Sequence, residues 1–181
     1  MLQIVTGAIS LGLLWAVMTI GVYITYRILN IADLTVEGSI AMGAAIAAKA
    51  IASGINPYIA TFLALIGGMA AGLVTGLLHT KLKIPALLSG ILTMIGLYSI
   101  NLRIMGKANI PLLRMETVYT PFENMGLDRN SAVIVLGLIC VLGLISILYW
   151  FFGTEIGCAI RATGNNPRMV SAQGINTNTT I

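Results

Sequence analysis

The chain has 181 residues, 57% of them hydrophobic and 9% charged, with a mean hydropathy of +0.95 and a formal net charge of +4. Soluble domains carry about a quarter charged residues, so this composition describes an integral membrane protein and excludes an ordinary soluble fold. The basic residues are scattered, which excludes the clustered Lys/Arg face of a nucleic-acid-binding protein.

The first apolar span runs from Ile4 to about Ile28 and ends in Tyr23, Tyr26 and Arg27, an aromatic and basic anchor suited to a membrane interface. The N-terminus, MLQIVTGAIS, has no basic n-region and no small-residue cleavage motif, so this span is expected to be retained. About 20 residues cross the hydrocarbon core at ~1.5 Å rise per residue, and the span is long enough with some tilt.

The pattern breaks between Asn30 and Ser39, where Asp33, Thr35, Glu37 and Gly38 interrupt it. The uncharged run Ser39–Ala48 is too short to cross, and Lys49 closes it. This predicts a broken or re-entrant helix whose N-terminus is buried in protein, because irregular backbone survives at membrane depth only where protein or water covers it. Asp33 suits an N-cap or first turn, and Glu37 lies within reach of the positive helix end. Two roles stand open for these acids: caps at the interface, or functional groups within the membrane.

The third span, Pro57–Leu78, carries Ala64, Gly68, Gly72 and Gly76 at intervals of four. Such a stripe of small residues lets another helix approach, and Ser39, Gly43 and Ala47 form a similar one, so the two helices are expected to pack together. In the loop that follows, His79 has no His, Cys or carboxylate neighbour at ligand spacing, so no metal site is expected. The fourth span, Pro85 to about Ile104, holds Ser89, Thr93, Tyr98, Ser99 and Asn101. These line a polar path or bond back to the backbone and to neighbouring helices.

Residues 105–130 form a long polar stretch, within which Ile110–Leu113 is expected to dip onto the membrane surface. The fifth span, Ser131–Phe152, is the cleanest. Cys140 and Cys158 make no disulfide or metal framework and are expected to be buried small residues.

The last stretch, residues 155–177, reads EIGCAIRATGNNPRMVSAQGINT. Asn166 fits an N-cap, Pro167 the first helical position and Gly174 the position past the helix end. The encoded helix has only about two turns and needs outside support. With Arg161 and Arg168 it reads as a short amphipathic helix on a water-facing loop. The plainer alternative is a loop helix with two solvated arginines.

Alternating crossings place Arg27, Lys81, Lys83, Arg161 and Arg168 on one side and Lys49, Arg103, Lys107, Arg114 and Arg129 on the other. The counts are equal, and only the shorter loops of the first set lean toward its being cytoplasmic. No Gly-x-Ser-x-Gly, His-Glu-x-x-His, P-loop or dinucleotide fingerprint is present, so neither an enzyme nor a cofactor is expected.

The final stretch resembles the coupling-helix loop of bacterial ATP-binding-cassette (ABC) importer permeases of the branched-chain amino acid and ribose type. The resemblance lies in Gly157-Cys-Ala-Ile-Arg161-Ala, the polar residues after it and the short helix ending in Gly174-Ile-Asn176. The segment Asn30–Ser39 sits where that family has a polar break after its first helix. The run Leu78–Thr93 is similar to a branch containing uncharacterised members and importers of aromatic amino acids. The resemblance covers essentially the whole chain.

It implies an all-α integral membrane protein with about five transmembrane segments, one broken or re-entrant, and a short cytoplasmic coupling helix. Residues 1–181 would form one permease domain, the N-terminal part of a longer fold, with residues 155–177 as the coupling loop. Arg161, Asn166, Pro167, Arg168, Met169, Ser171, Gln173 and Gly174 would engage a separate ABC ATPase subunit. Asp33, Thr35, Glu37, Ser89, Thr93 and Asn101 would line the translocation path, and Ala64, Gly68, Gly72 and Gly76 would pack helices. The implied partners are that ATPase, an extracytoplasmic substrate-binding protein, a second permease subunit and the lipid bilayer of a bacterial inner membrane. The cargo would be a small polar solute such as an aromatic or branched-chain amino acid. Family permeases are usually longer, so the chain is expected to be truncated. The readings set against this one are an ion- or proton-coupled carrier using Asp33 and Glu37, and a non-transporting membrane scaffold.

Overall fold

The computed structural model describes residues 2–112, 115–126 and 128–180. Arg114, and Leu113 at the end of the expected surface dip, lie outside the described residues. The described elements are helical: α1 (Leu2–Tyr23), a π-helical turn (Ile24–Ile28), α2 (Thr35–Ala52), α3 (Pro57–Thr80), α4 (Ala86–Met105), α5 (Thr120–Asn124), α6 (Arg129–Gly153), α7 (Glu155–Asn165), α8 (Pro167–Ala172) and α9 (Thr177–Thr180). Five spans are long and apolar enough to cross a membrane: α1 with its π turn, α2, α3, α4 and α6. They leave large apolar side chains such as Trp15, Phe62, Ile95 and Ile147 exposed, the pattern of helices whose solvent is lipid. The chain divides into two compact units, Ala32–Thr120 and Met1–Ile31 with Pro121–Ile181.

In the unit Ala32–Thr120, α2 packs against both α3 and α4. The polar break leads into α2 and continues through its first turn without interrupting the helix. At the head of the break, Asn30 adopts φ 57°, a left-handed conformation that Asn tolerates better than most residues. From Thr35 the helix then runs uninterrupted for 18 residues. The run Ser39–Ala48 is extended at both ends because Glu37 falls in the first turn and Lys49 in the last. Each charge sits at the helix end whose dipole favours it. The N-terminus is buried on one face only, at Thr35 and Gly38, while Leu34 and Glu37 are exposed. The start of α2 abuts Gly90, roughly 6 Å along α4 from that helix's own start.

The contact between α2 and α3 takes a different face from the expected stripe. The buried residues of α3 are Ala60, Gly67, Ala71 and Thr75, and Ala64 meets Gly43. Gly68, Gly72 and Gly76 face open space. The reason is helical geometry: a strict four-residue interval turns about 40° round the helix at each step, so the stripe drifts off the contact. Mixed three- and four-residue steps stay on it. At the α3–α4 turn His79 Nδ1 lies 2.8 Å from the Ile84 carbonyl.

In the other unit α1 packs on α6, and α7 packs on α6, α8 and the π turn. Cys140 and Cys158 are both exposed, contrary to expectation. Among the described residues of α6 only Ala132 is buried, so an apolar context there marks a lipid-facing surface rather than a core.

Candidate functional site

Three threonines from three helices meet inside the unit Ala32–Thr120. Thr35 Oγ1 lies 2.8 Å from Thr75 Oγ1. Thr75 Oγ1 donates to Thr93 Oγ1 at 2.9 Å, and Thr93 Oγ1 donates to the Ser89 carbonyl at 2.9 Å. Each hydroxyl has one proton, so the chain runs in one direction, from Thr35 through Thr75 and Thr93 to Ser89. The three threonines are 3%, 7% and 6% exposed, and Ser89 is fully buried. Burying hydroxyls is tolerable only because each has a partner.

Two glycines bring the helices close enough for this network. A Cβ on Gly38 would lie 3.0 Å from Met94 Cα, and one on Gly90 would lie 2.8 Å from Asp33 Oδ1 and 2.9 Å from the Leu34 nitrogen. Asp33, one residue before the N-cap Leu34, accepts the Thr35 amide on Oδ1 at 2.8 Å and so satisfies a free N–H of the first turn of α2. Of the residues assigned to a polar path, the fold therefore joins Asp33, Thr35, Ser89 and Thr93 around the start of α2. Ser89 joins through its backbone carbonyl, its hydroxyl donating to the Ala86 carbonyl at 2.8 Å, and Asp33 joins through Oδ1.

Glu37 and Asn101 lie elsewhere. They line a groove of about 430 Å³ between α2 and α4, with Ala41, Met94, Ile95 and Tyr98 as its other walls. Glu37 is exposed. Asn101 is 8% exposed, and its buried Oδ1 has no hydrogen-bond partner among the described residues.

The residues assigned to ATPase coupling lie on two consecutive helices. Thr154 caps α7, its Oγ1 accepting the Gly157 amide at 3.3 Å. Gly157 is required there because a Cβ would collide with the Phe151 carbonyl at the α6–α7 corner. One face of α7 is seated by buried Thr163 and by Gly164, where a Cβ would collide with the Ile28 carbonyl. Asn166 caps α8 by accepting the Met169 amide at 3.1 Å, and Pro167 opens it. Gly174, at φ 85°, follows the helix end. Val170, 2% exposed, anchors α8. Arg161, Asn166, Pro167, Arg168, Met169, Ser171, Gln173 and Gly174 are all exposed.

Arg161 is not on the short helix's loop but within α7, where its guanidinium donates to Cys158 Sγ at 3.2 Å. The sequence reading missed α7 and the central residue of the hydroxyl chain, Thr75. A signal for Thr75 exists in the small-residue series Ala60, Ala64, Gly67, Ala71, Thr75, which keeps one face of α3. For α7 the signal is its amphipathic periodicity, which Gly157 and Gly164 disguise.

The chain matches, over residues 4–181, the family model described as the branched-chain amino acid transport system / permease component. It is 44% identical over 174 residues to the tyrosine transport system permease protein of Clostridioides difficile (strain R20291), covering 94% of this chain and 56% of that relative. It is 34% identical over 160 residues to an uncharacterized protein of Rickettsia prowazekii (strain Madrid E), covering 84% of this chain and 55% of the relative. The chain thus spans about half the length of these curated relatives. No solved structure matches it significantly. With its five apolar spans, the chain is a multi-pass membrane protein and belongs to the branched-chain amino acid transport system permease-component family, a family of transport proteins rather than enzymes.

Proposed function

We propose that this chain supplies membrane-spanning helices of an ABC importer permease that carries an amino acid, with an aromatic one the narrower choice, across a bacterial inner membrane. The observation that carries this reading is the family match across residues 4–181. The name of the Clostridioides difficile relative supports the aromatic cargo. In this reading residues 1–181 are part of one permease domain, which pairs with a second permease subunit and receives solute from an extracytoplasmic binding protein. The exposed side chains of α7 and α8 face the cytoplasm and dock on a separate ATPase subunit. Arg168 and Arg161 offer cations to acidic groups there, and capped, anchored α8 supplies the firm element that such docking needs.

The test is co-purification of the full chain with the ATPase encoded beside it, followed by ATP hydrolysis with and without the binding protein. A stable complex with stimulated hydrolysis is expected. A folded chain that associates with no ATPase would sink the coupling role. The competing ion-coupled carrier rests on Asp33 and Glu37 acting together. Asp33 already accepts the Thr35 amide on Oδ1, whereas Glu37 is exposed.

A further inference from the structure

In the unit formed by Met1–Ile31 and Pro121–Ile181, a groove of about 660 Å³ runs between the last turns of the first span and those of α6. Ile20, Ile24 and Ile28 form one wall, and Ile145, Leu148 and Phe152 the other. Both series step by three or four residues, so each wall is one face of its helix. At ~1.5 Å rise per residue, α6 advances about 10 Å from Ile145 to Phe152. The first wall includes the π turn, a widened helical turn of the kind that recurs at functional sites.

Three observations bear on what fills this groove. First, aromatic residues fix its depth. Tyr23 and Tyr149 line it, Tyr26 and Trp150 follow them closely in the chain, and all four are exposed. Exposed tyrosines and tryptophans at the ends of spans mark headgroup level, so the groove runs from the interface into hydrocarbon. Second, its walls are apolar. Water finds no partners there, and the solvent around these helices is acyl chain. Third, Arg161 lines the groove from α7, the helix that follows the end of α6. Arg161 is exposed, and the hydrogen bond found for it among the described residues goes to Cys158 Sγ, a weak acceptor, at 3.2 Å. Among the described residues no carboxylate lines the groove. A guanidinium has five N–H donors and matches a phosphate bidentately, so most of its capacity is open to an anion.

We infer that this groove binds an anionic phospholipid, one acyl chain lying between the first span and α6 and the phosphate resting on Arg161. The charge and the walls together ask for an anion at one end and a hydrocarbon tail at the other. A soluble anion would leave the walls unfilled, and an apolar helix would leave the arginine unpaired. Arg27, exposed on the π turn, adds positive charge at the same end of the span, which favours a net-anionic lipid over a zwitterionic one. The inference does not rest on the importer reading, and it refines that reading at one residue: Arg161 is held at the lipid, and Arg168 is left as the cation for the ATPase.

The experiment equilibrates the full chain in detergent with equal amounts of phosphatidylglycerol and phosphatidylcholine. The lipid retained after size-exclusion chromatography is then quantified by mass spectrometry. Phosphatidylglycerol is expected to be enriched. Arg161→Gln is expected to lower that enrichment about fivefold, the worth of one basic residue beside anionic lipid. Ile145→Trp, at an exposed wall position, fills the groove and leaves Arg161 in place, so it is expected to reduce retained phosphatidylglycerol while the melting temperature holds. Lys81→Gln removes the same charge from the α3–α4 turn and is expected to change nothing. Excess glycerol phosphate, the headgroup without its tails, is expected not to displace the lipid. No enrichment in the original chain, or undiminished enrichment in Arg161→Gln or Ile145→Trp, would overturn the proposal. An equal loss in Lys81→Gln would overturn it in favour of diffuse charge attraction, and displacement by glycerol phosphate in favour of a free-anion site. ATPase co-purification is a separate readout, and its failure in the original chain would remove the importer reading alone.

Discussion

Thr75 and Thr35, forty residues apart in sequence, hold their hydroxyl oxygens 2.8 Å apart, and the same Thr75 oxygen donates to Thr93. One side chain on α3 thus ties α2 to α4. Thr75→Val keeps the shape and removes the bridging hydroxyl, leaving two buried partners short. It is expected to cost about 1 kcal/mol, the scale of interhelical hydrogen bonds in membranes. Thr75→Ser should retain most of the stability. Melting curves in detergent check both, and an unchanged Thr75→Val would reduce the network to incidental contact.

Gly90 and Gly72 offer a matched pair. A Cβ at Gly90 meets the Asp33 carboxylate and the Leu34 backbone, whereas one at Gly72 meets nothing. Gly90→Ala is expected to destabilise by about 1–3 kcal/mol through overpacking. Gly72→Ala is expected to be neutral or stabilising by up to about 1 kcal/mol, because alanine is the better helix former. If the two variants melt alike, the close approach of α2 and α4 is wrong.

The Asp33 carboxylate holds the Thr35 amide. Asp33→Ala should cost about 1 kcal/mol, and Asp33→Asn should restore most of it, since a side-chain oxygen suffices for the cap. Transport lost in Asp33→Asn at full stability would show that the charge serves more than the cap.

Arg168 projects from α8, whose fold depends on Val170 and Asn166 rather than on the arginine. Arg168→Glu is expected to abolish co-purification with the ATPase while the stability stays within about 0.5 kcal/mol of the original, as for other surface substitutions. Undiminished co-purification would remove Arg168 from the docking face.

The sequence allowed the membrane class, four of the five spans and the caps of α8 to be read directly, because each rests on local rules: span length, proline and glycine position, and a capping side chain. Asn166, Pro167 and Gly174 carry their roles in their own chemistry. What escaped depends on which residues other helices bring near. Thr75 looks like any threonine bonding back to its own helix, and indeed it also points toward the Ala71 carbonyl at 3.4 Å. Gly68, Gly72 and Gly76 make the more conspicuous stripe, yet the contact runs through the less regular series ending at Thr75. Glu37, Gly38 and Ser39 read as a break because polarity and glycine disfavour a helix. In the fold Gly38 is instead one of the points where α2 and α4 come close. The π turn at Ile24–Ile28 has no proline to announce it, and its Thr25 hydroxyl bonds back to the preceding turn as helical threonines commonly do.

Gly164 presses bare backbone against the Ile28 carbonyl. A side chain at such a junction swings to another rotamer and absorbs displacement, but a peptide carbonyl locked in a helical turn has no such freedom. Movement of α7 along that line therefore passes into the end of the first span with little slack. The junction behaves as a strut rather than a cushion, and the π turn beside it is the place where the strain would be felt first.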